Sequence, residues 1–483
     1  LAHGSYRFIP GRPGMVDLTA HLSRADASDL RRYTPITANP HLHDWLDKFI
    51  VEGEFLDTRL HLKGDLAGFP FFHDDGGTFR LQSKASRVAL DHVPGTPRME
   101  NISGNLRFHG SRLEIDASQA NILGVGLNKV KVHIADITAP DVILEAAGEA
   151  NGATREFVKF AVKNKGGSYA SSFNDIDVAG NGKLLLKLGI PLSRPADIKL
   201  AGSYQFIDNQ IDPGRRMPNL DKVNGMLTFT ESGIGLENIT AQFLGGPVLI
   251  SSTSMPGGDM RLSATGKANL DNLIQASQGR TAAAAALWTR YLSGSTDWRA
   301  AIHIHNKLVD VSVESSLQGI ASNLPEPFSK APADVVPLRF DRKVVNLDRD
   351  ILDLSYGRLA KAKIKRLQDN ANNYQVEQGG VNFGPGPALL PEKSGISVTG
   401  TLPRLELDQW RNLLRQFNDE TESSLNLTGI DVHIGILDFL GKRLNDVSLN
   451  AAREDGLWHS TLASREIKGG VSWEPAGNGK VVA

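Results

Sequence analysis

One segment of the chain repeats without a gap, and this repeat restricts the architectures open to it. Residues 97–124 (PRMENISGNLRFHGSRLEIDASQANILG) align with residues 218–245 (PNLDKVNGMLTFTESGIGLENITAQFLG) at one constant offset. Identical residues stand at Pro97/Pro218, Gly104/Gly225, Leu106/Leu227, Phe108/Phe229, Ser111/Ser232, Ala120/Ala241, Leu123/Leu244 and Gly124/Gly245. Such a recurring unit indicates a stacked architecture, in which each copy buries its apolar face against its neighbours.

Apolar and polar residues alternate at every second position in the repeat and over most of the chain, and this spacing predicts β-strands. One wet face and one apolar face are typical of antiparallel sheets. The 48 glycines fit many short strands and tight turns better than a helical bundle. The residues that we assign to the apolar face are Leu106, Phe108, Leu113, Ile115, Leu227, Phe229, Ile234, Leu236, Ile302, Ile304, Val311, Val313, Val432, Ile434 and Ile436.

A sheet that is apolar on one side over hundreds of residues can bury that side in two ways. Two sheets can close face to face into tandem β-sandwiches, or one elongated, curved sheet can fold over a cargo. Periodicity alone leaves both architectures open.

Helices are predicted to be few and short. Asn39-Pro40 provides an N-cap followed by proline at the first helical position, and this helix is expected to end at Gly53. The other predicted helices are Asp26–Arg32, Arg155–Lys163, Leu270–Ser277 and Leu407–Phe417. Proline-rich links at 323–337 and 383–391 are the expected hinges.

Composition excludes several classes of protein. A net charge of -1, from 53 basic and 54 acidic residues, gives no electrostatic reason to expect a nucleic-acid partner. The densest basic run, KAKIKR at 361–366, is interpreted as a solvated face of a strand or helix. The absence of cysteine excludes disulfides, zinc–thiolate sites and cysteine nucleophiles. No segment approaches the ~20 apolar residues of a membrane-spanning helix. The sequence starts at Leu1 and not at an initiator methionine, so we expect it to be an interior part of a longer chain.

The sequence carries no motif of a known active site: no Gly-x-Ser-x-Gly, no phosphate-binding glycine loop and no His-Glu-x-x-His. His303 and His305 share one face of a strand, as i and i+2 side chains do. No acidic partner can be placed beside them from sequence, so we interpret the pair as a chance feature of the wet face. His41 and His43 diverge at the start of the predicted helix. We therefore predict no enzyme activity, no catalytic residues, no metal site and no cofactor.

Several motifs, in order, resemble the YhdP family of large AsmA-like envelope proteins of Gram-negative bacteria. They are RYTP (32–35), WLDKFIVEGEFLDTRLHLKGDLAGFPF (45–71), SSLQGIASNLPEPFSKAPADVVPL (315–338), GISVTGTLPRLELDQW (395–410) and LWHSTLASREIKGGVSWEP (457–475). The resemblance covers nearly the whole chain. One departure is Thr34, where the family pattern leads us to expect an apolar residue.

This resemblance implies a mainly β fold, an elongated and curved antiparallel sheet with a taco-like groove and a few short helices. It would be one repeat domain, with approximate units 1–125, 126–250, 251–330 and 331–483. The chain would be the periplasmic portion of an inner-membrane-anchored protein that moves phospholipids toward the outer membrane.

The implied partners are phospholipid acyl chains, both membranes through parts outside this chain, and further envelope proteins. The apolar-face residues named above would then line the lipid groove. Two alternatives remain open: a structural or assembly scaffold built from closed sandwiches, and a β-rich surface or secreted binding module.

Overall fold

The structure is a computed structural model. It describes residues 1–27, 29, 50–71, 76–90, 98–122, 125–163, 176–194, 197–212, 218–231, 233–254, 259–270, 272, 290–305, 308–369, 374–418, 426–454, 457–474 and 480–482. The chain forms two compact units, Leu1–Ile239 and Thr240–Ala483. The finer division into four repeat units stays a prediction.

Unit 1 is an antiparallel sheet in which each strand pairs with the next strand along the chain, from β1 to β11. Its strands are β1 Ala2–Ile9, β2 Arg12–Asp26, β3 Ile50–Asp65, β4 Gly77–Leu90, β5 Met99–His109, β6 Arg112–Ile122, β7 Val125–Ile134, β8 Ile143–Ala153, β9 Asp177–Pro191, β10 Lys199–Asp212 and β11 Leu220–Thr230. Strand β12, Gly233–Phe243, contains the boundary between the two units.

In unit 2 most described strands also pair with the next strand along the chain. Its strands are β13 Gly246–Ser254, β14 Met260–Asn269, β15 Leu292–His305, β16 Leu308–Ser315, β17 Ile320–Ser322, β18 Leu338–Asn346, β19 Arg349–Tyr356, β20 Ala360–Gln368, β21 Tyr374–Phe383, β22 Gly395–Glu406, β23 Leu427–Phe439, β24 Lys442–Glu454, β25 Leu457–Ala463, β26 Lys468–Glu474 and β27 Lys480–Val482. The short β17 pairs separately with the start of β15, and β16 pairs with β18. Strands β21, β22 and β23 run parallel, whereas the other described pairs are antiparallel.

The predicted fold class is confirmed: the protein is mainly β, with an open and largely antiparallel sheet and few helices. Within the described residues of each unit, the strands form one sheet in chain order. They do not form two facing sheets, apart from the short pairing of β17. The architecture of tandem sandwiches is therefore not the one adopted.

Two predicted helices are present, α1 at Thr154–Lys163 and α2 at Leu407–Asn418. The end predicted for the helix near residue 53 is wrong, because Ile50–Asp65 is strand β3 and Ile50 pairs with Leu90 of β4. The rest of that helix, with His41 and His43, lies outside the described residues. Most of the helices predicted at 26–32 and 270–277 also lies outside them.

The sequence repeat has a structural counterpart in its backbone. Asn101 and Lys222 are equivalent positions, and both adopt a left-handed conformation, with φ of 55° and 52°. At Gly104 an added Cβ would lie 2.3 Å from the carbonyl oxygen of Asp116. At Gly225, where φ is +128°, it would lie 2.6 Å from the carbonyl oxygen of Asn238. Each glycine therefore allows the neighbouring strand to approach closely.

The two proline-rich links are packed segments, and the prediction that they act as hinges is not supported. In the first link Lys330 is buried and its Nζ donates hydrogen bonds to the carbonyls of Ile320 and Ala331. In the second, Gln378 donates to the carbonyl of Pro391. Backbone groups that are bonded in this way do not give a free joint.

Candidate functional site

The apolar residues predicted in the two repeats share one face of the unit 1 sheet. Leu106 pairs with Ile115 and Phe108 with Leu113, and residues opposite each other in a ladder point to the same side. The register carries this face across the following strands through Ile115, Val132, Ala146, Leu188 and Leu200. Farther along β10, Gly202 and Tyr204, two and four positions after Leu200, pair with Phe229 and Leu227 of β11.

This face of unit 1 is only partly buried. Leu106, Phe108, Leu113 and Ile115 keep intermediate exposure, and so do their repeat counterparts Leu227, Phe229, Ile234 and Leu236. The apolar row therefore stays partly exposed at these positions, and at one end Leu106 packs against a buried cluster of Ala25, Ala27, Phe55 and Val88.

One motif of the sequence, Phe69-Pro70-Phe71, lies against this face. The Phe69 ring is 5.0 Å from Phe79, which is 5.8 Å from Phe108. Phe71 is almost fully buried. The motif therefore fixes aromatic side chains beside a residue that the repeat had placed on the apolar face.

In unit 2, four of the predicted residues also form one patch. Ile302 pairs with Val311, and its β14 partner is Leu262. Ile304 pairs with Val309, and Ala300 pairs with Val313. All four predicted residues, Ile302, Ile304, Val311 and Val313, are partly buried and share the face of Trp298, which contacts Phe243 of β12.

The last predicted group lies in a closed core. Val432 and Ile434 belong to a cluster with Leu402, Leu437 and Val447, in which Ile434 is 2% exposed and Val447 fully buried. Ile436 is partly buried and pairs with Arg404 and Asn445. The next residue, Leu437, joins the cluster. The alternation therefore breaks at this point of β23, and Ile436 is not brought together with its two predicted neighbours.

Two segments cover the apolar face in this part of unit 2. Leu407, the first residue of α2, packs on the buried cluster. Phe328, from the first proline-rich link, contacts Tyr356, Phe383 and Trp410 with ring centroids 5.6, 6.5 and 5.6 Å away. Trp410 of α2 also donates its indole N–H to the carbonyl of Glu326. The link and the helix thus form one lid over strands β19–β23, which we call the aromatic lid.

Four polar residues stand on the same face of unit 2, and we call them the arginine cluster: Arg342, Asp350, Arg366 and Tyr374. Asp350 is 1% exposed and accepts hydrogen bonds from Arg342 Nε (2.7 Å) and from Arg366 Nε and Nη2 (2.8 and 2.7 Å). Arg342 Nη2 donates to the Tyr374 hydroxyl, and the Arg366 guanidinium lies 4.2 Å from the Tyr374 ring centroid.

The charges of the arginine cluster are held in their ionised forms. Burial raises the pKa of Asp350, but the hydrogen bonds from Arg366 and Arg342 outweigh it, so this pKa lies below its ordinary value. Burial lowers the pKa of Arg342, but the hydrogen bonds and charge interactions with Asp350 and Tyr374 together outweigh it, so this pKa lies above its ordinary value. Two cations therefore face one carboxylate.

Sequence reasoning missed the arginine cluster, because Arg366 belongs to the basic run that we interpreted as a solvated face. In strand β20 the run alternates: Arg366 and Ile364 share the apolar face with their β19 partners, Asp350 and Leu352. The lysines lie on the other side, where Lys365 pairs with Glu377. The sequence did carry a signal for this cluster: Arg366 stands two positions after Ile364, so alternation places it on the apolar side of the strand.

His303 and His305 lie on the face opposite Ile302 and Ile304, as predicted from their spacing. The structure also supplies the acidic neighbours that sequence could not place. His305 Nε2 is 3.2 Å from Asp310 Oδ2, and His303 Nε2 is 3.7 Å from Asp259 Oδ2. Ligand atoms of His303, His305 and Asp310 all lie within 4.8 Å of one another.

Comparison with known families identifies the family of the chain. The family model described as YhdP protein matches residues 1–483. The chain belongs to the YhdP protein family. No curated protein and no solved structure matched it. This membership points to an envelope protein of the AsmA-like type. Across the described part of the chain, no helix has the length and apolar character needed to cross a membrane.

Proposed function

We propose that the apolar face binds phospholipid acyl chains and conducts lipids between the inner and outer membranes across the periplasm, without catalysis. One observation carries this proposal: a register-linked row of apolar side chains in unit 1 that stays partly exposed. A soluble monomer rarely exposes a contiguous apolar patch larger than a few hundred Å². A face of this kind needs an apolar occupant.

The energetics of lipid transfer fit such a face. A diacyl lipid has on the order of 30 CH₂ groups, so its transfer into water costs on the order of 25 kcal/mol at ~0.8 kcal/mol for each group. A single polar contact to the headgroup, at ~1–3 kcal/mol, cannot offset this cost. A conduit therefore requires a continuous apolar wall, and it requires no catalytic group.

Family membership supports a location in the cell envelope. We infer that this chain is the periplasmic portion of a protein anchored in the inner membrane, which places the apolar face between the two membranes. Its partners are then phospholipids and both membranes, reached through other parts of the protein, and further envelope proteins.

The proposal is tested with Phe229→Asp in the full-length protein. A carboxylate on an apolar path is poorly solvated, so this variant should block lipid passage. Because Phe229 is partly exposed, it should lose only about 1–2 kcal/mol of stability. The matched control is Thr228→Asp, the preceding residue on the opposite face. The measurements are the melting temperature and the lipid supply of the outer membrane in cells that depend on the protein.

The possible outcomes distinguish the lipid conduit from a structural scaffold. A folded Phe229→Asp protein with normal lipid supply contradicts the conduit at this position. A large fall in melting temperature would mean that the residue is packed like a core, which favours a structural scaffold.

A further inference from the structure

We propose that Arg342 and Arg366 bind the phosphodiester of a phospholipid at the apolar face of unit 2. This inference rests on the proposed function, because it names the chemical group that the conduit recognises. The first observation is the net charge of the arginine cluster. The arginine cluster holds two guanidinium groups and one carboxylate, so among the described residues of this cluster the positive charges exceed the negative charges by one.

The cluster also retains free donors. The contacts of Arg342 use its Nε and Nη2, and those of Arg366 use its Nε and Nη2. The Nη1 groups have no partner among the described residues. The side chains are 30% and 24% exposed, so a ligand can reach them while water is partly excluded. Guanidinium groups bind phosphate oxygens well, because their planar N–H donors match that geometry.

The position of the cluster suits a headgroup. Arg342 pairs with Val311 on one side and Leu352 on the other, so the cluster continues directly into the apolar patch. Asp350 is the second residue of β19, immediately after the turn that follows β18, and this places the cluster near the strand ends. A lipid can therefore lay its chains on the patch with its phosphate at the edge.

The test uses native mass spectrometry of the purified chain. The chain is loaded with an equimolar mixture of dioleoyl phosphatidylglycerol and dioleoylglycerol, which have the same acyl chains. We expect about a tenfold preference for the phospholipid, because a hydrogen bond to a charged group contributes this much. Arg342→Met should reduce the ratio to about one and leave dioleoylglycerol bound. It removes the excess cation and keeps Asp350 paired with Arg366, so the fold is retained. The control is Arg339→Met, on the opposite face of the same strand, which should keep the preference.

Each result has one meaning. An unchanged ratio in Arg342→Met, or no preference in the original chain, overturns the phosphate site and leaves the conduit standing. Binding of neither lipid overturns both. A further arm adds glycerol 3-phosphate and inorganic phosphate. If these bind alone in an Arg342-dependent way and phospholipid does not, the site serves free phosphate and the lipid assignment is wrong.

A second inference comes from the opposite face and does not depend on the conduit. We infer that His303, His305 and Asp310 bind a divalent transition metal ion of the zinc class. Two imidazoles and a carboxylate suit such ions. Ligands arranged around one zinc ion at ~2.0–2.1 Å stand roughly 3.3 Å apart, and the contact between His305 and Asp310 is 3.2 Å.

Two further observations support the site. The His303 Nε2 atom is buried and has no hydrogen-bond partner within the described part of the chain, so it is available as a ligand. The other oxygen of Asp310 accepts a hydrogen bond from the backbone N–H of Val344, which orients the carboxylate as outer-shell partners do. Arg261, across from His303, opposes a cation, and the carboxylate of Asp259, 3.7 Å from His303 Nε2, offsets that charge.

The test is calorimetric titration of the metal-free chain with Zn²⁺. We expect one equivalent to bind, and His303→Ala or Asp310→Asn to weaken binding at least tenfold. A rise of the melting temperature with zinc should also disappear in both variants. The control is His433→Ala, because His433 lies 3.1 Å from Asp446 on the same kind of wet face but is not part of the three-ligand group. No binding, or equal binding by His303→Ala, overturns this site and shows an adventitious ion only.

Discussion

The apolar face of the sheet is open on strands β5–β6 and closed on strands β22–β24. Leu106 and Phe108 belong to an alternating pattern like that of Val432 and Ile434, yet the first pair is partly exposed and the second is buried. In the second region Leu407 of α2, the helix that directly follows β22, packs on the buried cluster. Alternation therefore indicates which side of a strand is apolar, and segments outside the strands contribute to whether that side is covered.

The strongest test of this difference is a charge placed on each region. Ile434→Asp should destabilise the protein by about 4 kcal/mol or more, because the carboxylate is buried without a partner. Phe108→Asp should cost about 1–2 kcal/mol, because water reaches it. Urea unfolding of both variants measures the contrast, with Thr401→Asp on an exposed position as the control. Equal losses would mean that the two regions are packed alike.

A smaller effect is expected in the arginine cluster. Asp350→Asn removes the buried carboxylate that pairs two partly buried guanidinium groups, and breaking a buried pair in this way costs about 3–5 kcal/mol. The control is Asp353→Asn, whose partner Lys363 is on the exposed face and which should change stability by about 0–1 kcal/mol. A loss no larger than that of the control would show that the cluster is solvated.

The aromatic lid can be loosened directly. Phe328→Ala removes a partly buried ring that touches three others, and we expect a loss of about 2 kcal/mol. The exposed face should then bind more of a fluorescent apolar dye. Phe8→Ala, whose ring is largely exposed, should change neither stability nor dye binding. Unchanged dye binding in Phe328→Ala would show that this ring does not cover the apolar face.

The smallest effect is a pH dependence. Because the folded-state pKa of Asp350 lies below its ordinary value, its contribution to stability is complete above the ordinary aspartate range and is lost as pH falls through the folded-state pKa. Acid titration of the unfolding free energy should therefore show a steeper fall for the original chain than for Asp350→Asn. Parallel curves would contradict the lowered pKa.

The β class and the apolar side of the strands could be predicted because alternation and the repeat are local signals, whereas the open sheet was expected from the family resemblance. Leu106 and Phe229 were placed on one face by their spacing, and the register agrees. Three features could not be predicted, because each depends on which segments meet and in which register, and alternation alone does not give this. The lid brings Phe328 onto Phe383, the cluster brings Asp350 between two arginines, and the hairpin brings Asp310 beside His305.

The parallel strands β21, β22 and β23 have a topological consequence. Two antiparallel neighbours need only a turn at one edge, whereas two parallel neighbours require the chain to travel back across a face of the sheet. The return from β22 to β23 carries α2, and Leu407 packs on the apolar cluster, so this return lies on the apolar side. Under the proposed function, a lipid that moves along the apolar face of unit 2 therefore meets α2 across its path.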